Sequence, residues 1–183
     1  MLTDLDAAFA ASPFPDGRWG SSESFLAPLL HAFAATHVGS ATIRSLVPVD
    51  RKVLLRSSGR YTVLGPFGSP MLLLTTIGRK SGLERTTPLV YLPDGDALLV
   101  VGSNFGQGHD PAWAMNLVAH PSATVTIRGT AIPVDARELL DEERERAFAA
   151  FQDLAKPYEA YAERTSRTIR VFALTERAAT HGS

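Results

Sequence analysis

Residues 71–101 carry the pattern that most restricts the fold, because three short apolar runs are separated by tight turns. The run from Met71 to Leu74 ends in two threonines and enters a turn, Gly78 to Gly82. The run from Pro88 to Leu92 follows, and Asp94-Gly95 separates it from the run Ala97 to Val101. Apolar runs of this length between turn residues predict strands, and Asp-Gly predicts a two-residue hairpin turn. The short connections predict that consecutive strands pair antiparallel.

The N-terminal quarter of the chain predicts an arm followed by a helix. Residues 1–20 are rich in Pro, Gly and small side chains, which predicts a flexible arm. Apolar residues between Phe25 and Phe33 recur at helical spacing, so we expect an N-terminal helix over residues 22–47. Residues 21–183 are then expected to form a single domain.

A hairpin is predicted between this helix and the first apolar run. Val53-Leu54-Leu55 and Tyr61-Thr62-Val63-Leu64 flank Ser57-Ser58-Gly59, a pattern typical of two strands joined by a turn. Basic residues on this segment are expected to be charges on a strand edge. They are Arg51, Lys52, Arg56 and Arg60.

Helices and a second hairpin are predicted after residue 101. Asp110 is expected to cap a helix that has Pro111 at its first position and ends at His120-Pro121. The remaining predicted elements are a hairpin of residues 123–127 and 131–136 about Gly129, a helix of residues 142–154 capped by Asp141, a short helix with Tyr158 and Tyr161, and a strand from Ile169 to Leu174.

The order of these elements predicts an α+β fold. Helices do not alternate with strands, which argues against a doubly wound sheet. A mostly antiparallel, meandering sheet curled into a small β-barrel is expected, with the N-terminal helix and the other helices packed around it.

The composition of the chain argues against several classes of function. The 183 residues carry a formal net charge of −1, which argues against a nucleic-acid partner bound by bulk electrostatics. The absence of cysteine excludes disulfides, thiolate nucleophiles and cysteine-ligated clusters, and the histidines lack metal-ligand spacing, so no metal is predicted. We expect a cytoplasmic protein, because no segment resembles a signal peptide or a bilayer span. The expected substrate is a small molecule. Weak peripheral membrane association through residues 22–47 is the less favoured alternative.

The turn between the first two apolar runs is the strongest candidate for a ligand site. Arg79, Lys80, Ser81 and Arg85 place several hydrogen-bond donors on one short loop, and glycines at both ends allow left-handed backbone angles and close approach of a ligand. Such a loop suits a phosphate or a phosphate-bearing cofactor. A solvated turn with incidental basic residues is the alternative.

Several motifs in this region occur together in one known order. The segment LLLTTIGRKSGLERTTPLVYLPDGDALLVVGSNFGQGHDPAWAMNLVAHPSATVTI resembles the deazaflavin-dependent nitroreductase family, whose members bind coenzyme F420. The resemblance extends from about Pro70 to about Leu174. Its specific pieces are the GRKSG turn, Thr86-Thr87-Pro88, Gly102-Ser103-Asn104, His109-Asp110-Pro111-Ala112-Trp113, and a tyrosine-containing segment before a final Arg-Thr-Ile strand.

The resemblance implies a split β-barrel like that of flavin-binding oxidoreductases, and hydride transfer from reduced F420 to a nitro compound, a quinone or an activated alkene. The chain has no side chain that carries electrons, so a bound cofactor must do the redox chemistry. The basic residues between Arg51 and Arg60 are a less favoured match for the acidic tail of F420. The predicted cofactor-binding residues are Arg79, Lys80, Ser81, Gly82, Arg85, Thr87, Pro88, Val101, Gly102, Ser103, Asn104, Pro111, Ala112 and Trp113.

Three assignments stay open at this level. Trp113 either lies against the cofactor ring or packs in the core. Tyr158 and Tyr161, predicted as catalytic, either orient the acceptor and donate a proton or pack their helix on the barrel. The alternatives for the whole protein are an FMN-binding barrel enzyme and a non-catalytic module that binds a cofactor or a lipophilic ligand. A homodimer is also left open, since flavin-binding split barrels are generally dimers.

Overall fold

The computed structural model describes residues 5–18, 49–50, 52–61, 70–154 and 161–178, and a closed six-stranded antiparallel barrel lies at its centre. The strands are β1 (Met71–Ile77), β2 (Glu84–Asp94), β3 (Ala97–Val101), β4 (Ser122–Ile127), β5 (Thr130–Leu139) and β6 (Val171–Glu176). Flanking them are helices α1 (Leu5–Ala11), α2 (Ala112–Ala119) and α3 (Asp141–Leu154), and one turn of 3-10 helix (Asn104–Gly106). The predicted mostly antiparallel barrel is confirmed.

The strand order around the barrel is β1-β2-β3-β6-β5-β4. Hairpins join β1 to β2, β2 to β3 and β4 to β5, as the turn residues predict. Closure depends on pairs that are distant in sequence. Leu74 lies opposite both Thr87 of β2 and Val125 of β4, and β6 lies between β3 and β5. Strands β2 and β5 extend beyond the predicted residues 88–92 and 131–136, because pairing continues where the sequence is polar.

Apolar residues form one cluster inside the barrel and another outside it. Leu74, Val100, Val125 and Phe172 belong to the interior cluster, and none is more than 2% exposed. On the outer surface, alternate residues of β3 and β6 pack against Phe148 and Phe151 of α3. Both faces of β3 are therefore buried, which explains why this strand is a continuous apolar run.

The predicted strand at residues 53–55 is wrong, because these residues are helical. The Ser57-Ser58-Gly59 segment ends the helix instead of joining two strands. The Gly59 N–H donates to the Leu54 carbonyl at 2.8 Å and the Ser58 N–H donates to the Leu55 carbonyl at 3.4 Å, and Ser58 has a φ of 52°. This is a Schellman end, and a Ser-Gly pair suits it as well as it suits a hairpin turn.

The flexible arm predicted for residues 1–20 is not what residues 5–18 form. They contain α1, and Phe9 and Phe14 are buried in the interior cluster. The Tyr91 hydroxyl accepts from the Gly17 N–H at 2.7 Å and donates to the Pro15 carbonyl at 3.2 Å. Helix α1 contains four alanines and no Pro or Gly, so its residues favour a helix, and burial of the two phenylalanines stabilises the segment against the barrel. This segment covers the barrel end where β1 begins, since the Met71 N–H donates to the Gly17 carbonyl at 3.4 Å.

Several predictions fall outside the described residues. They are the helix over residues 22–47 with its alternative role at a membrane, the strand at residues 62–64, and the position of Tyr158. No helix within the described ranges is long and apolar enough to cross a bilayer. The single-domain organisation of residues 21–183 stays a prediction.

Candidate cofactor site

The turn between β1 and β2 is closed by backbone hydrogen bonds. The Gly78 N–H donates to the Leu83 carbonyl at 2.8 Å, and the Gly82 N–H donates to the Gly78 carbonyl at 2.7 Å. Gly82 has a φ of 67°, whereas Gly78 does not adopt a left-handed angle. A side chain at Gly78 would be crowded, because a Cβ there would lie 3.1 Å from the Leu83 carbonyl oxygen, a backbone atom held by the turn. The prediction of left-handed glycines is therefore correct at one end of the turn only.

Three cations lie on this turn or at the start of β2 beside it. Arg79, Lys80 and Arg85 are exposed, and their side chains have no hydrogen bond or ion pair with any other residue that the structure describes. Other arginines are held, as Arg177 is by Asp135 at 2.7 Å. Unpaired cations repel one another, so an anion brought among them gains attraction and relieves that repulsion. The donor set of this turn therefore fits a phosphate.

A buried asparagine connects the turn to α2. Asn116 is 5% exposed, and its Oδ1 accepts from the Arg79 N–H at 3.1 Å. Its Nδ2 donates to Thr76 Oγ1 at 3.0 Å, and Thr76 is 1% exposed. Sequence reasoning missed Asn116, although an asparagine within an otherwise apolar stretch of a predicted helix signals a buried hydrogen bond. The tether holds the backbone that carries Arg79.

The Gly102-Ser103-Asn104 segment follows β3 at the same barrel end. Strands β1 and β3 run parallel, each antiparallel to β2, so the turn after Ile77 and the loop after Val101 leave the barrel together. The Gly102 N–H already donates to the Arg170 carbonyl at 2.8 Å. Val101 pairs with Val171 in the sheet. Val101 and Gly102, which are both predicted cofactor-binding residues, therefore already have backbone partners. The Ser103 hydroxyl makes no capping bond.

Arg167 holds this loop from the opposite side. Its guanidinium donates to the carbonyls of Gly102 at 2.8 Å, Ser103 at 2.9 Å and Gln107 at 3.0 Å. It also pairs with Asp110 at 2.8 Å, and the two side chains are only 14% and 18% exposed. Sequence reasoning placed Arg167 in the final Arg-Thr-Ile motif but gave it no role at the site, because nothing local distinguishes it from a surface arginine.

Asp110 is not the cap of α2, which contradicts the prediction. The residue at the cap position is Pro111, with no side-chain cap, and the Asp110 carboxylate binds Arg167 and Arg170 instead. Arg170 also contacts Glu138 at 2.5 Å. Hydrogen bonding to Asp110 raises the pKa of Arg170, so the network stays charged. Two charge-assisted partners outweigh one helix cap.

The 3-10 turn in this loop has an uncommon backbone. Asn104 and Phe105 have φ values of 46° and 55°, and Gly106 follows at 76°. The Phe105 ring is 65% exposed and meets the Tyr161 ring edge-on at 5.8 Å. Burial raises the pKa of Tyr161, so its hydroxyl is protonated at neutral pH.

Helix α2 lies between the cationic turn and the Gly-Ser-Asn segment. A Cβ at Gly102 would lie 3.6 Å from Ala114 Cβ, while Asn116 contacts Arg79. Residues two apart on a helix face nearly opposite directions, so the two loops flank α2 at a separation on the order of its 10–12 Å diameter. That separation suits an elongated ligand with an anion at one end.

The structure places the other predicted cofactor residues differently. Trp113 is 6% exposed and packs edge-on against Phe172 at 5.7 Å, which favours the core alternative. Ala112 is exposed and Pro111 half-buried at the start of α2. Thr87 and Pro88 are half-buried on β2, opposite Leu74 and Leu73.

Fold and site together define the class of this protein. A closed antiparallel barrel with flanking helices, carrying a cationic turn at one end, is the split barrel of flavin-reductase-like enzymes. The sequence model of the F420H(2)-dependent quinone reductase family matches residues 49–176. The chain belongs to this family. The predicted split barrel, the class of F420-dependent oxidoreductase and the cofactor, coenzyme F420, are thereby confirmed.

Individual relatives agree with this assignment. An F420H(2)-dependent quinone reductase of Mycobacterium tuberculosis (strain ATCC 25618 / H37Rv) is 33% identical over 144 residues, which cover 77% of this chain and 94% of that protein. A solved F420-H2 dependent reductase aligns with a TM-score of 0.53 and 35% identity, over 57% of this chain and 93% of the other. A structure described as a domain-swapped dimer aligns with a TM-score of 0.55 and 29% identity, over 74% and 98%.

Proposed function

We propose that this protein reduces a quinone-type acceptor with reduced F420. The observation that carries the proposal is the cationic turn, in which Arg79, Lys80 and Arg85 are exposed and unpaired among the described residues. When bound, reduced F420 would supply a hydride and release a proton to solvent, and the hydride together with one proton donated by the protein would convert a quinone to a hydroquinone. Nitro compounds and activated alkenes are the alternative acceptors, and the family name supports the quinone.

The phosphate of the cofactor is proposed to bind at the cationic turn. The Arg79 and Lys80 side chains donate to its oxygens, Arg85 contributes charge from the start of β2, and the Ser81 hydroxyl adds a neutral donor. Asn116 keeps the Arg79 backbone in place while the side chain binds. Charge-assisted contacts are stronger than neutral ones, so this turn should provide much of the affinity.

The ring of the cofactor is proposed to lie across α2, toward the loop after β3. Ser103 and Asn104 offer polar side chains there, and Pro111 and Ala112 offer a small apolar surface. Arg167 fixes this loop through the carbonyls of Gly102 and Ser103. A loop held in this way loses little entropy when a ligand binds, which favours affinity.

Tyr161 is proposed to deliver the proton that accompanies hydride transfer. Its side chain is half-buried beside Phe105, and burial raises the pKa of its hydroxyl, so the proton is present at neutral pH. The hydroxyl would donate to the developing hydroquinone oxygen and regain its proton from water. Tyr158 is proposed as a second candidate for this role.

The experiment is a fluorescence titration with F420, with FMN in parallel, followed by steady-state oxidation of reduced F420 with a quinone, a nitro compound and an activated alkene. Tight F420 binding and fastest turnover with the quinone are expected. Preference for FMN would contradict the cofactor assignment at this site. Binding without turnover of any acceptor would favour the non-catalytic module.

The matched variants are Arg79→Ala with Lys80→Ala, and Arg146→Ala on α3 as an exposed control. The double variant should lose roughly 1.5–3 kcal/mol of binding free energy per charge-assisted contact, so several kcal/mol at most. Its unfolding temperature without cofactor should hardly change, because exposed charges contribute little to stability. Unchanged F420 affinity together with a large loss of apo stability would mean that the turn has a structural role only.

We also propose that the chain forms a homodimer. The support is the aligned structure described as a domain-swapped dimer, which is 29% identical. Sedimentation equilibrium measures the mass directly, and a monomer at all accessible concentrations would contradict the proposal.

A further inference from the structure

Phe105 has a left-handed backbone conformation, which phenylalanine rarely adopts. It has a φ of 55°, and its neighbours Asn104 and Gly106 have φ values of 46° and 76°. Asparagine and glycine tolerate left-handed angles, but phenylalanine does so at a cost in free energy. Strain of this kind persists only where the surroundings impose it, and it is concentrated at functional sites.

The contacts that impose this backbone converge on the same loop. The Asn104 amide donates to the His109 carbonyl at 3.0 Å, and Arg167 binds carbonyls on both sides of the turn. Gly106 is pressed against its neighbours, since a Cβ there would lie 2.9 Å from the Tyr161 carbonyl oxygen. These contacts fix the conformation of the loop, and the exposed position of the Phe105 side chain follows from that conformation.

The conformation of this loop leaves the aromatic ring of Phe105 exposed to solvent. Phe105 is 65% exposed, in a loop whose other side chains are polar or absent. An isolated exposed apolar residue needs no explanation. Phe105 does need an explanation, because its backbone is strained and its ring lies edge-on to Tyr161 at 5.8 Å, next to the Gly-Ser-Asn segment. Two rings in this arrangement form an apolar corner, open to solvent on the Phe105 side, that suits a flat aromatic molecule.

We infer that Phe105 is a specificity-determining residue that contacts the ring system of the electron acceptor and favours large planar acceptors over small ones. The inference rests on the proposed quinone reduction and names the acceptor class more narrowly. A two-ring naphthoquinone covers more of the Phe105 face than a single-ring benzoquinone, so the gain is greater for the larger molecule.

The test uses Phe105→Asn, because asparagine accepts the left-handed angle while removing the ring. Reduction of a naphthoquinone and of a benzoquinone is measured at saturating reduced F420. For the naphthoquinone, KM should rise roughly 3–10-fold with little change in kcat, as expected for the loss of one aromatic contact. For the benzoquinone, the rise should be smaller. Phe105→Tyr should keep the preference, because it keeps the ring.

Tyr61→Asn is the matched control. Tyr61 is 67% exposed and lies two residues after Gly59, whose Cβ position is 3.7 Å from the Arg128 backbone N at the opposite barrel end. This variant should not change the ratio of the two KM values. An equal KM change for both quinones in Phe105→Asn, or none, overturns the inference while leaving quinone reduction intact. A wild-type protein that reduces neither quinone overturns the proposed function and this inference with it.

Discussion

The tether between Asn116 and the cationic turn makes a prediction that separates folding from binding. Asn116→Ala removes both hydrogen bonds of the amide, leaving the Arg79 N–H and the Thr76 hydroxyl without that partner. Thr76 is 1% exposed and Asn116 is 5% exposed, so water does not readily replace the amide.

The magnitude follows from the cost of unsatisfied groups. A buried group without a partner costs about 1–3 kcal/mol, and the Arg79 N–H, which is only part-buried, should cost about 1 kcal/mol. The two groups together should therefore lower the free energy of unfolding by about 2–4 kcal/mol. For a chain of this size that corresponds to a fall in unfolding temperature of roughly 5–15 °C. The affinity for F420 should fall roughly 3–10-fold, because the turn must then be ordered on binding.

Urea unfolding of the apoprotein and fluorescence titration with F420 measure the two effects. Val118→Ala is the control on the same helix, since Val118 is 50% exposed and should change both quantities little. If Asn116→Ala lost no more stability than Val118→Ala, the two hydrogen bonds of Asn116 would not stabilise the fold and the prediction would be refuted. A large stability loss with unchanged F420 affinity would show that the tether supports the fold but not the cofactor site.

Two further predictions concern the other ends of the site and barrel. Arg167→Met should lower the free energy of unfolding by about 2–4 kcal/mol, because it removes a donor from three loop carbonyls and leaves Asp110 with Arg170 as its only arginine partner among the described residues. Arg137→Met, which breaks an ion pair of 63% and 39% exposed side chains, should cost under about 1 kcal/mol, and equal losses would refute the role of burial. Burial raises the pKa of Tyr91 to about 12 from 10.0, so the neutral hydroxyl stabilises the fold below pH 10 and this contribution is lost between pH 10 and 12. Between pH 10 and 12, the free energy of unfolding measured with urea should therefore fall more steeply in the wild type than in Tyr91→Phe, by up to about 1.4 kcal/mol per pH unit. Equal slopes of unfolding free energy against pH in the two proteins would contradict the raised pKa of Tyr91.

Local chemistry explains which elements the sequence predicts correctly. The residues Gly95 and Asp96 join β2 to β3, one position after the predicted Asp94-Gly95 turn, and Gly129 lies in the turn between β4 and β5. Turn types depend on a few adjacent residues, so they are readable without the fold. The strand prediction for Val53-Leu54-Leu55 was wrong because it also relied on adjacent residues alone. Three apolar residues before Ser-Ser-Gly suit a helix end as well as a hairpin.

Predictions for the site divide along the same line. The sequence identifies the cationic turn because its donors are contiguous between Arg79 and Arg85. It does not predict the role of Arg167, which lies in the Arg-Thr-Ile motif and binds the Gly102 carbonyl across 65 residues of chain. Asp110 was assigned a local role as a helix cap, but its partners are Arg167 and Arg170. A side chain that can satisfy either a local or a distant partner is settled by the packing that brings the distant one near.

The sequence by itself determined the antiparallel meander, the cationic character of the turn and, through its motifs, the F420-dependent class. Each of these depends on residues that are neighbours in the chain. Only the tertiary structure decided the closure of the barrel through β1–β4 and β3–β6, the burial of Phe9 and Phe14 against it, and the display of Phe105 beside Tyr161. These depend on contacts between distant segments, whose free energy exists only after the chain has closed.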